Sequence, residues 1–256
     1  MEGFSCNRFT IWSENSGILK AGQFADQIPA SWFWARVTKR SVALGYPNGG
    51  FDTLAKAVAQ KIISLGGEIS YNTELKTADD QFDQIISTAP PPKLPSLGAV
   101  TLILRLKKPF LPDNTYWLNI GRPDFPFLNI VEHTNLISGS NYDHEHLVYI
   151  GKYLPITHPY YLLSKQELLK RYDQKLSSIC PEYKDNLIGI EVFRAPRAQP
   201  IIPLNYSQII PSIKTEVKGL YRISMEQVYP FDRGTNYAVK LGVKVAKMII
   251  KHAKEN

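Results

Sequence analysis

Apolar and polar positions divide the chain into three regions of different character. The segment 29–41 opens on Pro29, which suits the first turn of a helix, and it carries a mixed aromatic face. Apolar residues recur at helical spacing over 51–65, and a glycine pair follows as a stop signal. Polar and apolar residues then alternate over 68–73, and a second apolar run follows at 82–88. The pattern therefore predicts two helices and then two strands.

The middle of the chain is rich in β-forming residues. Four such runs are separated by Pro, Asn, Asp and Gly: 99–106, 116–120, 127–133 and 147–153. Short loops between runs of this kind favour a mostly antiparallel sheet. The remaining predicted elements are a helix at 165–179, a strand at 187–193, a strand at 219–225 and a helix at 235–252. Helix–strand units at both ends of a β-rich middle predict an α+β fold with an inserted domain.

Composition and charge narrow the class of protein. The 256 residues are 44% hydrophobic and 21% charged, which excludes disorder as the main state and fits one large domain or two interwoven ones. The net charge is +7, but no segment interleaves several basic residues with aromatics, so no nucleic-acid partner is expected. The densest basic cluster lies on one predicted helix face: Lys240, Lys244, Lys247, Lys251 and Lys254. A solvated helix face is favoured for it over a binding surface.

Other compositional features bear on location and chemistry. No apolar run reaches the roughly 18 residues of a membrane-spanning helix, and the N-terminal residues lack the features of a signal peptide. With only Cys6 and Cys180, a reducing cytoplasmic location is expected, without a disulfide framework. The His144-Glu145-His146 sequence lacks a further ligand at useful spacing, so no metal is expected. A G-x-S-x-G nucleophile turn is absent.

The most informative stretch is 219–239, which predicts a strand, a polar loop and a helix beginning near Thr235. Small residues along that helix allow close approach to a sheet. Its N-terminus offers unbonded amides and the positive end of a dipole, which suit an anion such as a reduced flavin. The alternative is an ordinary capped helix, in which Asp232 and Thr235 satisfy the amides themselves. The stretch alone favours the capped helix over an anion site.

Three ordered blocks resemble the C-terminal part of FAD-dependent amine oxidase-like and protoporphyrinogen oxidase-like flavoproteins. The first block is YPNGGF at 46–51 with its helix, then LGGEI at 65–69 and NTEL at 72–75. The second is DQIISTAP at 83–90. The third is GLY at 219–221 with YPFDRGTN at 229–236. Their order and spacing agree with the family over nearly the whole chain.

The resemblance implies FAD as cofactor and divides the chain into sections of two domains. Residues 1–45 and 97–195 would belong to a substrate-binding domain with a mostly antiparallel sheet, while 46–96 and 196–256 would form part of an α/β FAD domain. Backbone groups around Leu75 would touch the adenine end of FAD. Residues along the ribityl chain and the isoalloxazine ring would be Ser224, Met225, Asp232, Arg233, Gly234, Thr235 and Asn236.

Three residues of the middle region are candidates for holding a small-molecule substrate. His133 and Asn135 form a polar cluster at the end of an apolar strand where a sheet face could meet a ligand, although a structural histidine is the favoured interpretation. Arg194 follows a strand near the return to the FAD domain, where it would hold an acidic substrate, the flavin or a salt-bridge partner.

Two departures from the family pattern bear on function. The sequence contains no G-x-G-x-x-G turn to cradle the FAD pyrophosphate, and Ser224-Met225 stands where the family's strand-end acid is expected, with Glu226 one place later. The chain is therefore expected to be a truncated or split flavoprotein, completed by a separate Rossmann-type FAD-binding chain. Three hypotheses follow: an FAD-dependent oxidoreductase, a flavin isomerase of the UDP-galactopyranose mutase kind, and a non-catalytic binding module or subunit. No catalytic residue is assigned.

Overall fold

The computed structural model describes residues 27–39, 45–74, 82–90 and 94–255. Helices in these ranges are α1 (Ala30–Thr38), α2 (Gly50–Ser64), α3 (Pro159–Leu162), α4 (Lys165–Ile179) and α5 (Thr235–Glu255). Strands are β1 (Ile85–Ser87), β2 (Ser96–Leu106), β3 (Trp117–Asn119), β4 (Asn129–Glu132), β5 (His146–Leu154), β6 (Leu187–Pro200) and β7 (Leu220–Arg222). The fold is a mixture of helices and sheets, as the sequence predicts.

Contacts group these elements into two compact units. The first unit is built on Pro95–Ile201, and the second on Pro29–Leu94 and Ile202–Asn256. Helix α1 therefore belongs with the elements that flank the middle region. The four-part division drawn from the sequence stays a prediction.

The first unit contains a five-stranded antiparallel sheet in the order β3-β4-β5-β2-β6. Along β2, alternate side chains from Val100 to Leu106 are at most 1% exposed, because one face of the sheet is covered. The cover is helix α4, whose Leu168, Tyr172 and Leu176 are fully buried. The predicted antiparallel sheet is confirmed.

Helix α4 spans the residues that the sequence predicts because both its start signal and its period are strong. The Ser164 N–H donates to Glu167 Oε2 at 2.8 Å, and the Glu167 N–H donates to Ser164 Oγ at 3.3 Å. This reciprocal capping box satisfies two amides that a helix start otherwise leaves unbonded.

The second unit contains a two-stranded parallel sheet formed by β1 and β7, with Ile85 opposite Leu220 and Ser87 opposite Arg222. The Ile85 N–H donates to the Gly219 carbonyl at 2.8 Å. Gly219 has a φ of 79°, and a Cβ there would lie 3.0 Å from the Asp83 carbonyl oxygen, so only glycine fits without a shift. Helix α5 lies against β7, where His252 Nδ1 is 3.3 Å from Tyr221 Oη.

Helix α2 presents its apolar stripe to solvent. None of its residues is buried. Five large apolar side chains in and just after it are at least 40% exposed: Phe51, Leu54, Val58, Ile62 and Leu65. An apolar stripe at this spacing normally faces a partner element.

Some sequence predictions need correction. The predicted strand at 68–73 is wrong: the segment pairs with no described strand, and Asn72 has a φ of 55°, which ends an extended backbone. Strand β6 continues to Pro200 because β2 pairs with it as far as Ser96. Strand β7 stops at Arg222, since Met225–Val228 forms a 3-10 turn. Of the helices described, none has the length and apolar character needed to cross a bilayer.

Candidate functional site

The chain between β7 and α5 is held in a fixed shape by one side chain. The amide oxygen of Gln227 accepts the Ser224 N–H at 2.9 Å, while its Nε2 donates to the carbonyls of Arg222 and Pro211 at 3.0 Å each. Gln227 thereby joins the end of β7, the turn that follows it and the loop at Pro211. Ser224 and Met225, both assigned to the cofactor from the sequence, lie at the start of this turn.

Glu226 lies beneath the turn, with 1% of its surface exposed. The Tyr206 hydroxyl donates to the Glu226 backbone carbonyl at 3.0 Å. Burial, and then the nearby Glu226 charge, raise the pKa of Tyr206 to about 12, so this hydroxyl keeps its proton. The ring of Tyr206 packs edge-on against Tyr229, with 5.3 Å between centroids. Glu226 therefore helps to hold the loop in place through the contact of its backbone carbonyl with Tyr206.

Helix α1 is attached to the same loop by polar contacts. The Arg36 guanidinium donates to the Asp232 carboxylate, and Ser31 Oγ hydrogen-bonds to Tyr229 Oη. Arg233 Nη1 lies 3.5 Å from the other Asp232 oxygen. Two guanidinium groups therefore compensate the Asp232 charge just before α5 begins.

The first turn of α5 begins at Gly234. Its carbonyl accepts the N–H groups of Tyr237 and Ala238, both at 3.0 Å. The N–H groups of Thr235 and Asn236 precede these donors and bond to nothing in the described chain. Unbonded amides at a helix start carry a partial positive charge that favours an anion.

A groove of about 690 Å³ begins at this helix start. Its lining residues are Thr38, Lys39, Gln227, Val228, Tyr229, Phe231, Asn236, Tyr237, Lys240, Leu241 and Lys244. The set contains three lysines, three aromatic rings and no carboxylate. The rings of Phe231 and Tyr237 are stacked at 5.2 Å with an interplanar angle of 12°, and Lys240 Nζ lies 5.6 Å from the Tyr237 centroid. The groove therefore suits a ligand that combines a flat ring system with negative charge.

The structure brings part of the predicted cofactor set together. Asn236 lines the groove, and Asp232, Arg233, Gly234 and Thr235 form the loop and the first turn beside it. Leu75 lies outside the described residues. The assignment of these residues to a cofactor stays a prediction.

The sequence analysis missed several lining residues. Lys240 and Lys244 were expected on a solvated helix face, yet both line the groove. The spacing of Tyr237, Lys240 and Lys244 on one helical face is the signal that could have identified them. Lys39 could not have been found in this way, because α1 lies far away in sequence.

The three substrate candidates lie in the first unit and use their polar groups internally. His133 Nε2 is 2.7 Å from Tyr142 Oη, and burial lowers the pKa of His133. The Asn135 amide donates to the Thr115 carbonyl at 3.0 Å. Arg194 donates to the Tyr161 carbonyl at 2.6 Å and also to the Leu163 carbonyl. No substrate contact is needed to explain these side chains, and their substrate role stays a prediction.

Glu132 and His146 place a carboxylate and an imidazole side by side in the first unit. Glu132 is fully buried, accepts the N–H groups of Phe110 and Leu111, and lies 3.4 Å from His146 Nδ1. Nowhere in the described ranges do three or more such side chains converge as metal ligands would. Glu132 therefore holds the buried backbone at Phe110 and Leu111 in place.

Comparisons with known proteins give distant similarity. No family model matches the chain, and no curated protein matches it. A protein assigned as protoporphyrinogen oxidase from Exiguobacterium sp. 255-15 is 12% identical, with a TM-score of 0.49 over 61% of this chain. A reduced UDP-galactopyranose mutase is 14% identical, with a TM-score of 0.44 over 55% of this chain. An oxidoreductase from Methanosarcina mazei is 15% identical, with a TM-score of 0.39 over 61% of this chain.

In each case the chain spans 35% of the length of the structure it matches. All three TM-scores lie below 0.5, so the functional argument rests on the motifs and on the groove.

Proposed function

We propose that this chain is part of an FAD-dependent oxidoreductase of the amine oxidase-like kind, which removes hydride from a small molecule held over the flavin. The observation that carries the proposal is the groove at the start of α5, where aromatic and cationic side chains meet unbonded amides. This groove lies at the third of the three ordered sequence blocks, at the point where the resemblance implies the flavin.

The residues present fit a flavin nucleotide. The groove volume of about 690 Å³ is within the range of roughly 300–1,000 Å³ that is usual for such ligands. Tyr229, Phe231 and Tyr237 offer ring contacts, and the lysines offer charge to a phosphate. The loop 232–236 would hold the ring end. When bound, FAD would supply the hydride-accepting chemistry.

The contribution of the chain's own residues is electrostatic. The amides of Thr235 and Asn236, with the dipole of the 21-residue α5 behind them, stabilise negative charge placed before the helix. Asp232 does not cancel this effect, because Arg36 and Arg233 compensate its charge. A ligand that gains negative charge on reduction is favoured at this position.

The proposal includes a further FAD-binding segment. Since the 256 residues contain no G-x-G-x-x-G turn, the pyrophosphate cradle would come from a Rossmann-type FAD-binding segment outside them, on a partner chain or elsewhere in a longer protein. The antiparallel sheet of the first unit would then hold the substrate, with His133, Asn135 and Arg194 as candidate contacts.

One observation favours a second candidate function, that of a non-catalytic subunit. The exposed stripe of α2 is a surface that a binding module would use. A flavin isomerase of the UDP-galactopyranose mutase kind would need basic side chains to face a nucleotide, but Arg194 donates to two backbone carbonyls of its own unit. We therefore place the isomerase behind the other two.

The test is FAD binding by a fusion that carries a Rossmann-type FAD-binding segment ahead of this chain. We expect Lys240→Glu to weaken FAD binding, since Lys240 lines the groove, and Lys218→Glu to leave it unchanged, since Lys218 is exposed and does not line the groove. A fusion that binds no FAD, or equal affinity in both variants, would count against the proposal.

A further inference from the structure

Lys152 occupies a position in the first unit that a hydrophobic residue would normally take. It lies in β5 on the same face as Val148, Ile150 and Leu154, which are at most 2% exposed. Its register partner on β2 is Val100, which is fully buried. Lysines are seldom placed on a core face unless a carboxylate pairs with them.

No such carboxylate is present among the described residues: Lys152 forms no ion pair there. Its Nζ lies 5.4 Å from the centre of the Tyr160 ring, whose face attracts a cation only weakly. Lys152 is half-buried, so part of this residue is open to solvent.

The titratable groups around Lys152 come from two neighbouring elements. His158, at the start of α3, accepts the Tyr160 N–H on Nδ1 at 3.1 Å, so in its neutral form its proton is on Nε2. Tyr172, on α4, packs edge-on to Tyr160 and is fully buried. The Tyr172 hydroxyl makes no hydrogen bond in the described part of the chain.

The electrostatics of this cluster favour neutral forms. Burial lowers the pKa of Lys152. Burial, and next the Lys152 charge, lower the pKa of His158. Burial, and next Tyr160, raise the pKa of Tyr172, so its hydroxyl keeps its proton. Each pKa unit lost by a lysine raises the fraction of free amine near neutral pH about tenfold.

We propose that Lys152 is a nucleophilic amine that forms an imine with small aldehydes. A core-facing amine without an ionic partner, on a residue partly open to solvent and flanked by proton-bearing groups, is the arrangement that activates a lysine for this reaction. The site lies in the first unit, is separate from the groove and does not depend on FAD.

The reaction is an addition followed by loss of water. The Nζ lone pair attacks the carbonyl carbon, a C–N bond forms, and the π electrons of the C=O bond move to oxygen. One proton moves from nitrogen to that oxygen, and the hydroxyl then leaves as water with a second proton as the C=N bond forms. Amine and aldehyde give imine and water, with no oxidation or reduction. The His158 ring, which is close enough to Lys152 for the lysine charge to lower its pKa, is the local group suited to carry these protons.

The experiment treats the whole chain with propionaldehyde and cyanoborohydride, which reduces the imine to a stable alkylamine, and follows each lysine by peptide mass spectrometry. At neutral pH we expect Lys152 to be modified faster than the exposed Lys170 on α4, because burial lowers the pKa of Lys152 and a larger share of it is then free amine. In urea the two rates should become equal.

Two variants complete the test. By intact mass, Lys152→Met should lose the fast adduct and Lys170→Met should keep it, while near-UV circular dichroism shows that both remain folded. Native labelling of Lys152 at or below the rate of Lys170, or a fast adduct that persists in Lys152→Met, would overturn the proposal. FAD plays no part in either measurement, so its failure to bind would leave this result unaffected.

Discussion

The guanidinium of Arg36 donates a hydrogen bond to the carboxylate of Asp232, 196 residues further along the chain. The contact fixes α1 against the loop that precedes α5. It also compensates a negative charge that would otherwise oppose an anion at the helix start. The same loop therefore owes both its position and its electrostatic character to a residue far away in sequence.

Removing this contact should destabilise the second unit. Arg36→Ala removes the Arg36 hydrogen bond to the Asp232 carboxylate, and hydrogen bonds between charged groups of this kind contribute about 2 kcal/mol. We expect a lower midpoint of urea unfolding, followed by fluorescence of Trp32, which is buried beneath Arg36.

The matched control for Arg36→Ala is Lys56→Ala. Lys56 pairs with Asp52 on α2, but both side chains are 73% exposed. Exposed pairs contribute little, so the unfolding midpoint should not move. Equal midpoints for the wild type and both variants would contradict the structural role of the Arg36–Asp232 pair.

The exposed stripe of α2 predicts self-association of the isolated chain. Val58 and Ile62 are 52% and 42% exposed in the middle of the stripe, and a face of this kind drives association in water. The double change Val58→Glu, Ile62→Glu should lower the sedimentation-average mass at a given concentration. Lys61→Glu changes an exposed polar position of the same helix and should not. A wild-type chain that sediments as a monomer at all concentrations would refute the prediction.

Asp173 should make the stability of the first unit depend on pH in the acid range. Burial by itself raises the pKa of this carboxyl, but hydrogen bonds from Lys184 and Tyr183 outweigh it, and the pKa lies below its ordinary value. A carboxyl whose pKa is lower in the folded state than in the unfolded state stabilises the fold at pH values above the unfolded-state pKa of about 3.9. This stabilisation is lost as the pH falls through the folded-state pKa.

We therefore expect Asp173→Asn to lower the Tm near neutral pH and to have less effect near pH ~3, which lies below the unfolded-state value of about 3.9. Asp113→Asn, at an exposed turn, should track the wild type at both pH values. A constant Tm difference between Asp173→Asn and the wild type across this range would show that the carboxylate charge is not the cause.

How much the sequence predicts depends on whether the deciding contacts are local. The capping box of Ser164 and Glu167, followed by helical spacing, defines α4 to the residue. Strand β2 was also predicted, since its alternation reflects a covered face. The segment 68–73 alternates in the same way but forms no strand, because strand formation depends on a partner that the pattern cannot reveal.

The same distinction applies to the candidate site. The start of α5 was predicted at Thr235, where it is observed, from local signals alone. Lys39 and Thr38 line the same groove as Tyr237 because α1 contacts the 229–232 loop. These contacts join residues that are distant in sequence, so local patterns do not reveal them. Lys152 also escaped the sequence analysis, because its isolation from carboxylates follows from the sheet register.

The isolated chain should bind FAD weakly or not at all. It has no Gly-rich turn for the pyrophosphate, and the contacts offered by the groove are confined to one part of the cofactor. The check is the visible spectrum of the purified chain, before and after denaturation in the presence of added FAD. Stoichiometric yellow protein that releases FAD on unfolding would contradict this expectation.

The central claim is that the loop 232–236 faces the flavin in any FAD-competent form. Gly234 tests it well, because an added Cβ would meet only the end of the flexible Asn236 side chain, so the fold should tolerate a change that a flavin would not. Gly242, further along α5, has no atom within 4 Å of an added Cβ and is the matched control.

The decisive measurement is the FAD dissociation constant together with the reduction potential, in the Rossmann-segment fusion. Gly234→Val should push the helix start away from the ring and forfeit up to about 2 kcal/mol of dipole stabilisation, or roughly thirtyfold in affinity, with a lower reduction potential. Gly242→Val should match the wild type in both quantities. If Gly234→Val binds FAD with unchanged affinity and potential while its Tm shows an intact fold, the loop is not the flavin site.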